Sequence, residues 1–223
     1  MITRTRKSAD ERKEEIVEAT LRLAGEVGPD RMTTEALAKE IGISQPGIFR
    51  HFPTKGAIWE AVGQHIGKLL QAKMALTKKK GAFPVDELRD FVVGHLTFID
   101  ATPAIPAILF SRELHAENEK LRMFFAGLIA SRHKHFSKLI AAEISSGRFK
   151  KTLDADDAAF LILVLIQGLA MRWSLNNRSF DLPGEGARLL DLQLEGFESP
   201  PRAVKAKEDK HEITLSKVKQ KDR

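Results

Sequence analysis

The side chains whose types and spacing suit chemistry best lie between Thr33 and Lys55, in the run TTEALAKEIGISQPGIFRHFPTK. That chemistry is hydrogen bonding and charge pairing, not bond making. Gln45 carries an amide that both donates and accepts, which suits a base edge in a DNA groove. Arg50 is long enough for a base or a phosphate, and the basic His51 and Lys55 cluster with it. Gly47 lets the backbone approach a sugar-phosphate closely, beside the small, stiff Pro46 and the apolar Phe49. Thr33 and Thr34 stand at a helix start, where a hydroxyl and free backbone N–H groups suit a phosphate. Either threonine serves equally well as a plain N-cap.

Elsewhere the chemical material is thin. His133-x-His135 and Glu113-x-His115 are the only tight histidine groupings. Residues two apart on a helix do not share a face, so His133 and His135 are poor co-ligands. There is no cysteine, hence no thiolate metal site or disulfide framework. HExxH, a Gly-rich phosphate loop and a nucleophile elbow are all missing from the sequence. The expectation is a binding protein without catalytic residues, metal or cofactor.

The same run has helix-turn-helix spacing, the unit that lays a helix into the major groove. Leu37 and Ala38 face inward on a first short helix closing at Ile41; Gly42 supplies a sharp turn where φ > 0 is easiest. Ile43 plugs the angle, Ser44 caps the second helix, Pro46 sits in its first turn, and Ile48 points back at Ala38. An ordinary helical hairpin in an all-α core would account for the spacing alone. Before the run, residues 12–27 place Ile16, Ala19, Leu23 and Val27 on one helical face, with Gly28 as a stop.

Helix, Gly-Pro turn, short helix, Gly turn, short helix, HF-x-x-K and a long helix together resemble the amino-terminal domain of the tetracycline-repressor (TetR) family. The match covers roughly residues 12–60 and rests on the Ala24–Glu26–Gly28 helix end, Thr33-Thr34, Ala38, Gly42-Ile43-Ser44 and Phe49-x-His51-Phe52-x-x-Lys55. Phe49 departs from it, since tyrosine is the commoner residue there, and so does the Gln45-Pro46-Gly47 start. The resemblance implies an all-α, TetR-like fold: a three-helix DNA-binding head (1–54), a helical ligand-binding and dimerisation domain (55–198), and a basic tail (199–223) of disordered composition. It also implies phosphate contacts for His51 and Lys55, with Lys55 at the start of the fourth helix.

Composition is compatible with a cytoplasmic regulator. The chain has 223 residues, enough for a sizeable core, and its amino terminus lacks the apolar stretch of a signal peptide. The greasiest run, Ala158 to Met171, falls short of a membrane span. The net charge of +6 is not concentrated in the head, for residues 1–60 hold ten basic and ten acidic side chains. Local placement must therefore carry any claim on DNA: an arm of Arg4, Arg6 and Lys7, and the Arg50, His51, Lys55 cluster.

Periodicity predicts helices at 9–27, 34–41, 45–51, 55–79, 84–101, a shorter segment after Pro103 and Pro106 through Leu114, 118–146, 155–175 and 183–197. The middle helices would enclose a small, largely apolar effector. Candidate linings are Trp59, Val62, Phe91, His95, Phe98, Ile99, Ile108, Phe124, Phe125, Leu128, Gln167, Met171 and Trp173, each of which equally suits plain core. His95 and Gln167 are the polar members able to orient a ligand. One head contacts too little DNA for useful specificity, so the expected state is a homodimer on a palindromic operator. Its surface would be the last two helices, with Phe160, Leu163, Val164, Leu189, Leu190, Gln193 and Phe197. Burial of these within one monomer is the competing account. The competing function is an all-helical adaptor that does not bind DNA.

Overall fold

The computed structural model describes residues 7–77 and 83–200. Arg4 and Arg6 of the basic arm, the triple lysine at 78–80 and the tail from 201 lie outside those residues. Within them the chain forms α1 (Ala9–Val27), α2 (Thr34–Ile41), α3 (Gln45–Phe49), α4 (Lys55–Thr77), α5 (Pro84–Ala101), α6 (Ala104–Phe110), α7 (Arg112–Glu117), α8 (Glu119–Ser146), α9 (Ala155–Leu175) and α10 (Leu182–Phe197). The fold is all-α, as the periodicity predicts.

The helices begin where the sequence offers oxygen acceptors for otherwise orphaned N–H groups. Ser8 and Glu11 form a reciprocal capping box on α1. Asp154 accepts from the amides of Asp156 and Asp157 to open α9, and Asp181 does the same for Gly184 in α10. Asn118 opens α8 through Leu121 N–H while its amide donates to Gly56 O at 2.9 Å, tying α8 to the start of α4. Phe83 gives α5 no side-chain cap. The buried carboxylate of Glu143 on α8 supplies an acceptor instead, 2.8 Å from Val85 N.

Two expectations need correcting. The segment after Pro103 is not one helix: Ser111 ends α6 in an extended conformation and caps α7. The buried stripe of α1 is Ile16, Val17, Ala19, Thr20, Leu21 and Ala24, whereas Leu23 is half-buried and Val27 stands 47% exposed.

Behind the head, α8 packs along α9, α10 lies on α5 and α9, and α4 is held by α1, α5 and α8. Gly186 permits the α10–α5 approach, since a methyl group there would collide with the Leu96 side chain. α1 also rests on α6, where Gly25 sits against Ala104. At 21 residues, α9 is long and apolar enough to cross a membrane by length and composition, longer than its greasiest run suggests. Here eight of its residues are buried against neighbouring helices.

Candidate nucleic-acid interface and effector cavity

The head's geometry follows from a few hydrogen bonds. Gly42 takes φ 65° and ψ 40°, a left-handed conformation that costs an L side chain roughly 1–2 kcal/mol. Its N–H reaches Lys39 O at 3.2 Å, and Ile43 N–H reaches Ala38 O at 3.0 Å. This is a Schellman ending, which satisfies the last carbonyls of α2 and swings the chain sharply away. Ser44 Oγ then accepts from Gly47 N–H at 3.2 Å and starts α3. Leu37 and Ile48 are fully buried and Ala38 nearly so, locking the two helices together.

Packing turns the opposite face of α3 outward. Gln45, Pro46, Phe49 and Arg50 are exposed, while Gly47, His51 and Lys55 are half-covered. Regular helix stops at Phe49, shorter than predicted, and a tight turn carries Arg50, His51 and Phe52 N–H back to Pro46 and Ile48 carbonyls. Thr33 is the N-cap of α2, accepting from Ala36 N–H at 3.0 Å. Thr34 instead receives the Gln45 amide, Nε2 to Oγ1 at 2.7 Å, which orients the Gln45 side chain across the two helix starts. Thr54, unmarked by the sequence reading, caps α4 through Ala57 N–H directly before Lys55.

Several of the head's charges, Lys7 of the basic arm among them, are paired within it. Glu15 is held by Lys7 and Arg12, and Glu40 by Arg22, so two of the head's acids are neutralised within it. None of those head ion pairs involves Arg50, His51 or Lys55.

In the body, α4, α5, α6, α8 and α9 enclose a mostly apolar cavity with about 60 Å³ of room for the centre of a water-sized sphere. Six predicted residues line it: His95, Phe98, Ile99, Phe125, Leu128 and Gln167. Seven do not. Trp59, Val62, Ile108 and Trp173 are buried between helices; Phe91 and Phe124 line outer grooves on either side; Met171 is half-buried away from it. Aromatic character alone did not reveal which way each helix faces. The remaining wall is Ile66, Leu70, Ile105, Leu109, Ile129, Arg132, Leu163, Ile166 and Ala170.

Arg132 is the notable omission from the sequence reading. It sits four residues after Leu128 and four before Phe136, a cation interrupting the apolar stripe of α8. Its guanidinium carbon lies 4.4 Å from the Phe91 ring centroid, and its Nε is buried without a hydrogen-bond partner. Burial lowers its pKa, with no carboxylate opposing the shift. His95 shares the cavity wall, with Nδ1 buried and unpaired. Burial first, and the Arg132 charge second, push His95 down to about 4, so its ring is neutral near pH 7.

On the last two helices the outward apolar face differs from the one expected. Phe160 (61% exposed) and Val164 point away from the chain, joined by Leu161, Leu192 and the open surfaces of Gly168 and Gly196. Leu163 turns inward to the cavity, Leu190 is fully buried, and Phe197 packs edge-on against Phe149. Leu189 and Gln193 are half-buried. Burial within one monomer therefore claims three of the seven residues. Gly186 serves the α5 contact, not an outer surface.

The histidine groupings have structural uses. His133 Nε2 lies 3.0 Å from Asp156 O, His135 pairs with Glu87 at 3.4 Å, and His115 Nε2 is 3.0 Å from Leu109 O. Among the described residues no cluster of three or more metal-ligating side chains occurs.

Residues 16–62 match the family described as bacterial regulatory proteins, tetR family. The chain is 30% identical over 133 residues to the nucleoid occlusion factor SlmA of Haemophilus ducreyi, an alignment spanning 57% of this chain and 66% of that protein. Its fold matches a transcriptional regulator from Saccharomonospora viridis in complex with choline, with TM-score 0.76, 20% identity, and coverage of 86% and 100% of the two chains. It also matches the regulator FadR of Bacillus subtilis in complex with stearoyl-CoA, with TM-score 0.68, 20% identity, and coverage of 83% and 99%. Both solved structures are of transcriptional regulators. The helix-turn-helix head thus matches the tetR family of bacterial regulatory proteins, and head and body together have a TetR-like fold.

Proposed function

We propose that the protein is a transcriptional repressor that binds a palindromic operator as a homodimer and leaves it when a small, largely apolar molecule fills the body cavity. The observation that carries this reading is the α2–Gly42–α3 corner, which buries Ile48 while presenting Gln45, Phe49 and Arg50 outward. In this reading α3 enters the major groove and Gln45 and Arg50 address base edges. Thr34, Pro46, Gly47, Phe49, His51 and Lys55 sit against the sugar-phosphate backbone, and Thr33 orders the start of α2. The head ends near residue 54.

Pairing through Phe160, Leu161 and Val164 of α9 with Leu192 of α10 would set two heads about one helical turn, roughly 34 Å, apart. The route from cavity to head passes through α6. Ile105 and Leu109 line the cavity, and Ser111 at the end of α6 donates to Asp30 Oδ1, 2.6 Å away in the loop between α1 and α2. A ligand that displaces α6 then favours a different head position, and release follows from its differential affinity for the two states.

Retention on random-sequence duplex DNA at increasing salt tests the DNA-binding part. Affinity falling steeply with salt is expected, and the Arg50→Ala, Lys55→Ala double variant binds more weakly with a shallower dependence. Retention unchanged by both substitutions assigns DNA to another surface, and no retention leaves the adaptor reading. The SlmA likeness supports a second output from the same DNA-bound state, nucleoid occlusion in place of repression. A promoter fused to a recovered operator separates the two, since only a repressor silences it.

A further inference from the structure

We propose that the cavity's ligand is an amphiphilic anion, an apolar chain ending in a single carboxylate, with Arg132 as its counter-ion. This rests on the effector reading above and names the chemistry that the effector must have. The cavity wall is hydrocarbon except for His95, Gln167 and Arg132. An arginine in such a wall is expensive unless something pairs with it. Here the plane of the guanidinium has an aromatic neighbour, Phe91, but its Nε has no acceptor. Glu87, the acid nearest along the same groove, is already engaged with His135. His95 Nδ1 is a second buried polar atom without a partner on that wall. A carboxylate beside Arg132 satisfies the guanidinium by a charge-assisted bond and brings an acceptor to a neutral histidine.

The surroundings favour one negative charge and one direction. Within the enclosed cavity Arg132 is the one cation, facing a neutral ring, which matches a monoanion, while Lys68 lies outside it in the solvent-facing groove. Arg132 also lines two outer grooves, so it marks the mouth of the cavity. The groove toward α5 contains the Glu87–His135 pair and no lysine. The groove between α4 and α8 contains Lys68, Gln71 and Ser131, and has about 500 Å³ of room by the same measure that gives the cavity 60 Å³. The head therefore sits on the Lys68 side and the tail points inward. A chain of more than a few carbons has to widen the cavity, and Phe124, half-buried over Gly63 and Gly67 at that mouth, is the side chain placed to yield.

The test compares octanoate with 1-octanol by calorimetric titration of the full chain. Octanoate is expected to bind at least about tenfold more tightly, the scale of one charge-assisted hydrogen bond. Arg132→Gln should bring the two ligands within about threefold of each other, and Arg132→Lys should restore part of the preference for the acid. Thermal melting of each apo variant checks that the fold is intact. Equal binding of acid and alcohol by the unmodified protein, binding of neither, or an acid preference that survives Arg132→Gln overturns the proposal. DNA retention is measured separately. An Arg132-dependent acid preference without release of DNA supports this site and removes the repressor-release reading; release of DNA by acid and alcohol alike, with no acid preference, does the reverse.

Discussion

Single side chains here are polarised between two environments, a solvent-facing α3 and a dry cavity. Gln45→Ala should remove about 1–3 kcal/mol of discrimination at the base pair it addresses, measured by competition between matched and single-mismatch duplexes. Arg50→Ala with Lys55→Ala should make the plot of log affinity against log salt shallower by about 2, since two phosphate neutralisations are lost. His95 gives a pH signature. Its folded pKa, about 4, lies below the unfolded value of 6.5, so the unfolded chain takes up a proton first. The stability held above pH 6.5 is lost as pH falls toward 4, amounting to about 2 kcal/mol by pH 5. Urea unfolding of the protein and a His95→Gln variant at pH 7.5 and 5 measures that difference, because the variant lacks the titrating ring. At this scale the sequence was informative where residue type dictates the role, as with Gly42, Ser44 and Ile48. It was least informative for cavity residues: Trp59 and Trp173 are as apolar as Phe98, and only the rotation of each helix decides which ones meet empty space.

Elements were legible where they end in capping chemistry. Ser8, Thr33, Ser44, Asn118, Asp154 and Asp181 all accept from backbone amides, and the helices they open begin within a residue of where periodicity put them. The break at Ser111 was hidden because its cause is tertiary: the hydroxyl is shared between the α7 cap and Asp30, residues apart in sequence. Ser111→Ala should cost about 1 kcal/mol through loss of the cap. It should also reduce any ligand-driven loss of DNA affinity relative to the intact protein, because the α6–head link is cut. Gly42→Ala forces a side chain into left-handed φ at the corner and should destabilise the head by about 1 kcal/mol. Gly186→Ala overpacks the α10–α5 contact and should cost about 1–3 kcal/mol in denaturant unfolding. The two glycines look alike in sequence and do different jobs, one conformational and one steric.

For the whole molecule, contacts of α1 with α4 and α6 set the head's position, so body and head share a packed seam, the route proposed above for a ligand's effect. The outward apolar patch of α9 and α10, with Phe160 and Leu192 each 61% exposed, is the surface proposed to meet a partner copy. Val164→Glu should shift the protein from dimer to monomer in light scattering while leaving helix content unchanged. The sequence put an outward apolar surface on these two helices but on partly different faces, because leucines at every position of an apolar helix do not show which of them the monomer's own core will claim. The central claim is that paired α3 helices read DNA, and selection of bound sequences from a random duplex pool tests it most directly. The account predicts recovery of a palindrome whose half-sites are centred about one helical turn apart, lost on Gln45→Ala with Arg50→Ala. Recovery of no common sequence, or of an unsymmetrical one indifferent to those substitutions, would contradict it.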